Sequence, residues 1–216
     1  MAPGDQPLLV LGTHSFAPEL HDLISETPGF RVDGFVENVD RARTELEIEG
    51  LPVYWIDDVE RFATTHRAVC ALGTTTRSRL IEEAAGRGLH FAAIVHPRAR
   101  VSARSEFGEG SVASVNAVVA VNARIGRHVI LNRGASIGHD TVVGDYVTVG
   151  PGVNVAGMCS IGDGCYFGIG ATVVDRITIG AGSVIGAGAL VTKDVQANVE
   201  VRGVPARVVK EGVEGR

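Results

Sequence analysis

Ile137-Gly-His-Asp-Thr-Val142, Ile161-Gly-Asp-Gly-Cys-Tyr166 and Ile185-Gly-Ala-Gly-Ala-Leu190 are copies of one six-residue phrase. Around them an apolar residue stands at every sixth position without a slip, from Val95, Val101, Phe107 and Ala113 through to Ile179, Ile185 and Val191. In a chain that is 45% hydrophobic, 17 such positions would coincide by chance on the order of one time in a million, so the period is structural. Glycine takes the second place of the phrase in nine of the 17 copies, as expected where a chain turns with a backbone shape that disfavours a side chain. The fifth place holds Ala, Ser, Thr, Cys or Val, with Ile177 the largest. An amphipathic helix repeats at three and four residues and a simple strand at two, so a period of six fits neither. It fits a β-helix in which each hexad is one short strand and a corner.

The segment before the repeat is of another kind. Pro7-Leu-Leu-Val-Leu-Gly12 reads as a buried strand and turn, and residues 16–25 have helical spacing of apolar residues. Further strands are expected at 30–36 and around 68–72, with a helix over 77–87 closing on Gly88. Strands alternating with helices predict a small parallel α/β sheet over residues 1–94, followed by the β-helix over 95–216 with the join near His96-Pro97. In such sheets ligands bind beyond the carboxyl ends of the strands, the place of Gly12-Thr-His-Ser-Phe-Ala17. That loop is not a GxGxxG fingerprint and gives little support to a dinucleotide cofactor.

A net charge of −5 supplies no electrostatic footprint for nucleic acid or an anionic membrane. No apolar stretch approaches the roughly 20 residues needed to span a bilayer, and the first residues do not read as a signal peptide, so a cytoplasmic location is the default expectation. Three cysteines form no disulfide framework and match no zinc spacing; Cys159 and Cys165 fall at fifth places and are read as core. No metal site is signalled.

The repeat resembles the hexapeptide-repeat acyltransferases, whose left-handed β-helix has three hexads per 18-residue coil and whose members are usually trimers with active sites between neighbouring helices. An α/β domain followed directly by such a helix is similar to the sugar-nucleotide N-acetyltransferases related to the sialic acid and bacillosamine pathway enzymes. The likeness spans nearly the whole chain, including Gly34-Phe-Val-Glu-Asn38, Gly73-Thr-Thr75, Val95-His-Pro97 and Gly203-Val-Pro-Ala-Arg207. It implies acetyl-CoA as co-substrate, a nucleotide-linked amino sugar as acceptor and a homotrimer.

The resemblance also assigns residues. His139 would be the base, Asp140 would orient it, and Asn132, seven residues earlier, would contact the sugar. The loop Gly12, Thr13, His14 and Ser15, with Glu37 and Asn38 after the second strand, would hold the nucleotide-linked sugar; an Asp pair is common where Glu37 and Asn38 stand. On the coenzyme side it implies the backbone of Gly157 at the developing oxyanion, backbone contact at Ala187, and Thr148 where many relatives carry a second histidine. Lys193 and Arg207 are cations available to the coenzyme phosphates, with Arg202 and Lys210 nearby in sequence.

Chemistry gives His139 an independent warrant. An amine attacking a thioester becomes cationic and must lose a proton, and imidazole, with a reference pKa of about 6.5, exchanges protons near neutrality. A solvated histidine at an outward position is the competing reading of the same residue. O-acetylation of a sugar hydroxyl, transfer of another acyl group, and a non-catalytic nucleotide-sugar-binding trimer remain alternatives to N-acetylation.

Overall fold

The computed structural model describes residues Asp5–Arg216. The chain forms two compact units, one running to Gly73 and resuming at Arg77–Pro97, the other comprising Thr74–Thr76 and Arg98–Arg216.

The first unit is an open sheet. β1 (Gln6–Leu11) leads into α1 (Phe16–Ser25) and β2 (Phe30–Glu37); β3 (Glu47–Ile48), β4 (Leu51–Trp55), β5 (Arg67–Cys70), α2 (Ser78–Gly86) and β6 (His90–Phe91) follow. The strand order is β3-β4-β2-β1-β5-β6, parallel except for the β3-β4 hairpin. β1 is central because Leu8 to Leu11 are apolar on both faces and wholly buried, as parallel sheets demand. The sequence reading located β1, β2, β5 and both helices. It passed over β4, where Pro52 breaks the strand signal and the alternation is short.

The second unit is a parallel β-helix. Two-residue strands pair with strands 18 residues on, as in Ser136–Ile137 with Asn154–Val155 and Val142–Val143 with Ser160–Ile161, and they build three sheets. First-place residues from Ala113 to Val191 point inward, joined by the small fifth-place residues. Phe167 and Leu131 are completely buried, each such side chain worth about 1.5–3 kcal/mol. The stack ends in an antiparallel hairpin, Val199–Arg202 against Arg207–Glu211, whose turn holds a cis Val204–Pro205 bond.

Second-place glycine turns out to serve a purpose other than the expected turn. Backbone in the left-handed region falls two residues later, at every fourth place from Gly110 to Gly188, with φ between 56 and 71°. Glycine, Asn, Asp, His, Tyr, Met and Arg all occupy that place. The second place is bare because successive coils touch there: a Cβ on Gly162 would lie 2.6 Å from the Ala181 nitrogen, and one on Gly126 would lie 2.7 Å from the Gly144 carbonyl carbon. Close stacking, rather than conformational freedom, selects glycine at that place.

Candidate active site

Gly138, His139, Asp140 and Thr141 form one corner of the β-helix between the strands Ser136–Ile137 and Val142–Val143. Neighbouring coils pin it on both sides. The Asp140 amide donates to Val121 O (3.1 Å), and His139 O accepts from the Met158 amide (2.8 Å). Buried Thr141 donates its hydroxyl to Ala156 O (3.1 Å) and accepts from the Cys159 amide (3.2 Å). A corner fixed in this way can present two side chains outward in defined positions.

Those two are His139 and Asp140, about half exposed, with His139 Nδ1 2.7 Å from Asp140 Oδ2. Asp140 takes the left-handed backbone of the fourth place, φ 56°, a conformation Asp tolerates better than most residues. Its other oxygen accepts a hydrogen bond from Asn122 Nδ2 (2.9 Å), whose Oδ1 accepts from Arg104 Nη2 (3.1 Å). The Asn122 hydrogen bond first, and the His139 contact second, hold the Asp140 carboxyl below the usual carboxylate range. An ionised carboxylate only accepts, so Nδ1 is the donor, and in the neutral ring Nε2 is the acceptor. Nε2 faces Gly157 of the next coil so closely that a Cβ there would lie 2.6 Å away. The Gly157 carbonyl accepts from Arg176, while its N–H has no partner among the described residues. A cavity of about 510 Å³ opens beside the pair, with Arg104, Asn122, Asp140 and Arg124 in its wall.

Other residues singled out on the β-helix lie elsewhere on its perimeter. Asn132 begins the corner one hexad earlier, its Oδ1 accepting from the Arg133 amide (2.8 Å). Thr148 is buried in a strand of another face, its amide donating to Cys165 O (2.9 Å). Ala187 lines a hollow of about 720 Å³ with Arg202, Lys210 and Arg216, the last lying 5.2 Å from the centre of the Tyr166 ring. Lys193 and Arg207 line a separate hollow of about 410 Å³. Both repeat cysteines are buried, and burial pushes the Cys165 thiol up to about 11, which makes it a packing residue and a poor nucleophile.

In the first unit, Gly12 makes the turn after β1 with φ 106°, and its amide donates to Val36 O (2.8 Å). His14 and Ser15 stand exposed at the start of α1, whereas Thr13 is buried. Glu37, 4% exposed, spends both oxygens internally. Oε1 accepts from the amides of Asn38 (2.9 Å), Val39 (2.8 Å) and Asp40 (3.4 Å), and Oε2 accepts from the Thr13 hydroxyl. Burial raises its pKa, but the Thr13 and backbone hydrogen bonds outweigh that and leave it lowered. Asn38 Nδ2 reaches Glu83 Oε2 (3.1 Å). Arg43, absent from the sequence reading, donates to the Thr13 hydroxyl (2.8 Å) and carbonyl (2.7 Å). Nothing in its flanking sequence marks it, because a short 3₁₀ turn over Arg41–Glu45 delivers it to the loop.

A family model described as "Bacterial transferase hexapeptide (six repeats)" matches residues 122–157 and 158–193. No curated protein matches the sequence. Among solved structures, a histidine-to-asparagine variant of perosamine N-acetyltransferase from Caulobacter crescentus, in complex with CoA and GDP-perosamine, is 28% identical. It covers 97% of this chain and 99% of its own, with a TM-score of 0.88. The acetyltransferase domain of PglB from Neisseria gonorrhoeae, also solved with acetyl coenzyme A, is 26% identical over 95% of this chain and 100% of its own, with TM-scores of 0.86 and 0.87. WeeI from Acinetobacter baumannii is 28% identical over 94% and 100%, at a TM-score of 0.79. With the six-repeat signature in its coils and likeness over nearly its whole length to these structures, the chain has the left-handed β-helix, hexapeptide-repeat architecture and is similar throughout to N-acetyltransferases of sugar nucleotides.

Proposed function

We propose that this acetyltransferase moves the acetyl group of acetyl-CoA to the amino group of a nucleotide-linked amino sugar, with His139 as base and Asp140 fixing its tautomer. The observation that carries the assignment is the imidazole held at Nδ1 by Asp140 with Nε2 directed at Gly157. The sugar amine attacks the thioester carbonyl carbon, whose π electrons move to oxygen. Nε2 takes the proton from the resulting ammonium, the C–S bond breaks as the carbonyl reforms, and the proton passes to the departing thiolate. The Gly157 N–H is the donor for the oxyanion.

Asn132, Thr148 and Ala187 stand on other corners and faces than His139, so one chain cannot gather them at one acetyl group. A homotrimer, in which the corner of one copy meets a different side of the next, reconciles the assignments. The α/β unit, residues 1–94 by the repeat boundary, serves as the nucleotide-sugar domain. Its direct contacts come from His14, Ser15 and Asn38, while Thr13 and Glu37 shape the loop. Use of acetyl-CoA supports a cytoplasmic reaction as part of this proposal. No helix among the described residues is long and apolar enough to cross a membrane.

The test is thiol release from acetyl-CoA with UDP-, dTDP- and GDP-linked amino sugars, GDP-perosamine first because the Caulobacter relative holds it. His139→Ala should lower kcat by about 10²- to 10⁴-fold. Silence with every amino sugar would overturn N-acetylation and turn the search to hydroxyl acceptors.

A further inference from the structure

The fourth place of the hexad stacks Arg104, Asn122 and Asp140 on one corner in three successive coils, 18 residues apart. Neighbouring parallel strands lie about 4.8 Å apart, so residues at the same place in consecutive coils are within reach of a hydrogen bond. Arg104 donates to Asn122, Asn122 to Asp140, and Asp140 meets His139 Nδ1. We propose that Asn122, oriented by Arg104, is a positioning residue that sets the tautomer of His139 through Asp140. This inference rests on the reading of His139 as the base.

The chemistry of the donors fixes the direction of every bond. A guanidinium can only donate, so the Asn122 oxygen must face Arg104 and its NH₂ must face Asp140. Ionised Asp140 can only accept, so Nδ1 must carry a proton, and in the neutral ring Nε2 is then the nitrogen that receives one. The Asn122 hydrogen bond is also the foremost cause of the lowered carboxyl pKa of Asp140, so the amide keeps Asp140 an acceptor as well as aimed. Both Asn122 and Asp140 have left-handed backbone, φ 59 and 56°, so their side chains leave the corner in the same direction. Sequence order hides this ladder, because its three members are separated by whole coils.

Two substitutions isolate the amide. Asn122→Gly removes it while suiting the left-handed backbone, and Asn122→Asp keeps the shape but places an acceptor against an acceptor. The first readout needs no substrate: ¹⁵N NMR of histidine-labelled protein, with the His139 ring identified by its loss in His139→Gln. The wild type should show one tautomer, Nδ1–H, and Asn122→Gly a mixture of both. The second is thiol release with acetyl-CoA and GDP-perosamine. Here kcat should fall roughly tenfold in Asn122→Gly, one decade of the hundred- to ten-thousand-fold a general base contributes, and further in Asn122→Asp, at unchanged KM for acetyl-CoA. A single tautomer and wild-type kcat in Asn122→Gly would overturn the proposal, whatever happens to thermal stability. If the wild type releases no thiol with any amino-sugar acceptor, the proposed reaction fails, and the tautomer readout alone decides for or against the ladder.

Discussion

Gly157→Ala should separate activity from stability more cleanly than any change to His139 itself. The added Cβ would meet the imidazole at Nε2 (2.6 Å), Cε1 (2.8 Å) and Cδ2 (3.0 Å), with no backbone atom among these nearest contacts. Ordinary contact begins near 3.4 Å, so the ring must retreat by about 0.8 Å or swing into solvent. His139 is half exposed and can move without opening a cavity, and Gly157 lies outside the left-handed region, so alanine adopts its backbone freely. The melting temperature should hold or rise slightly, since a compatible Gly→Ala change stabilises by about 0.4–1 kcal/mol through the unfolded chain. Alanine also keeps the N–H assigned to the oxyanion. Displacement of the base by nearly an ångström should nonetheless reduce kcat by up to about 10²-fold. Thermal unfolding and thiol release on the same preparation supply both numbers. Wild-type kcat in this variant would refute the claim that Nε2 works from its position over Gly157, and a large drop in melting temperature would show that the contact is structural.

Glycines at the two special places should behave differently. Gly162→Ala drives a Cβ to 2.6 Å from the Ala181 nitrogen and should cost about 1–3 kcal/mol, read as a lowered melting temperature with kcat per folded molecule intact. Gly164→Asn, at φ 64° with open space around it, should cost less than about 0.5 kcal/mol; equal losses at the two would sink the distinction. In the first unit, Glu37→Gln should cost about 2 kcal/mol at neutral pH, because a buried carboxylate that accepts three backbone amides loses its charge. The Glu37 pKa is lowered on folding, so its contribution is present above the unfolded value near 4.5 and is lost as pH falls through the folded value. The stability gap between wild type and variant should therefore close on acidification below about pH 4.5, and a gap that widened there would contradict this sign.

The period of six was enough to specify an inward first place and a small fifth place, because each hexad repeats one physical environment; three faces to a coil came from the family resemblance. The period could not tell why glycine occupies the second place. A bare Cα is equally consistent with a left-handed turn and with a neighbouring coil pressing on it, and only the stacking distance decides. His139 and Asp140 were readable because they are adjacent in sequence. Asn122 and Arg104 were not, since nothing in a local window connects residues 18 apart until the coil length is known. For Glu37 the family resemblance implies contact with the nucleotide-linked sugar. Its burial and its three amide partners make it the clasp of that loop, and Arg43 reaches the same loop through a turn with no sequence signature.

Strict 18-residue stacking also limits how such a chain can change length. Losing three consecutive hexads would shorten the column by one storey and leave every remaining side chain on its own side. Losing a single hexad between His139 and Gly157 would keep each apolar residue inside, yet carry everything downstream round by a third of a turn, so that Gly157 would no longer lie beneath His139. The β-helix can therefore be lengthened or trimmed only in storeys, and a splice that hydrophobic pattern alone would accept would still dismantle the site.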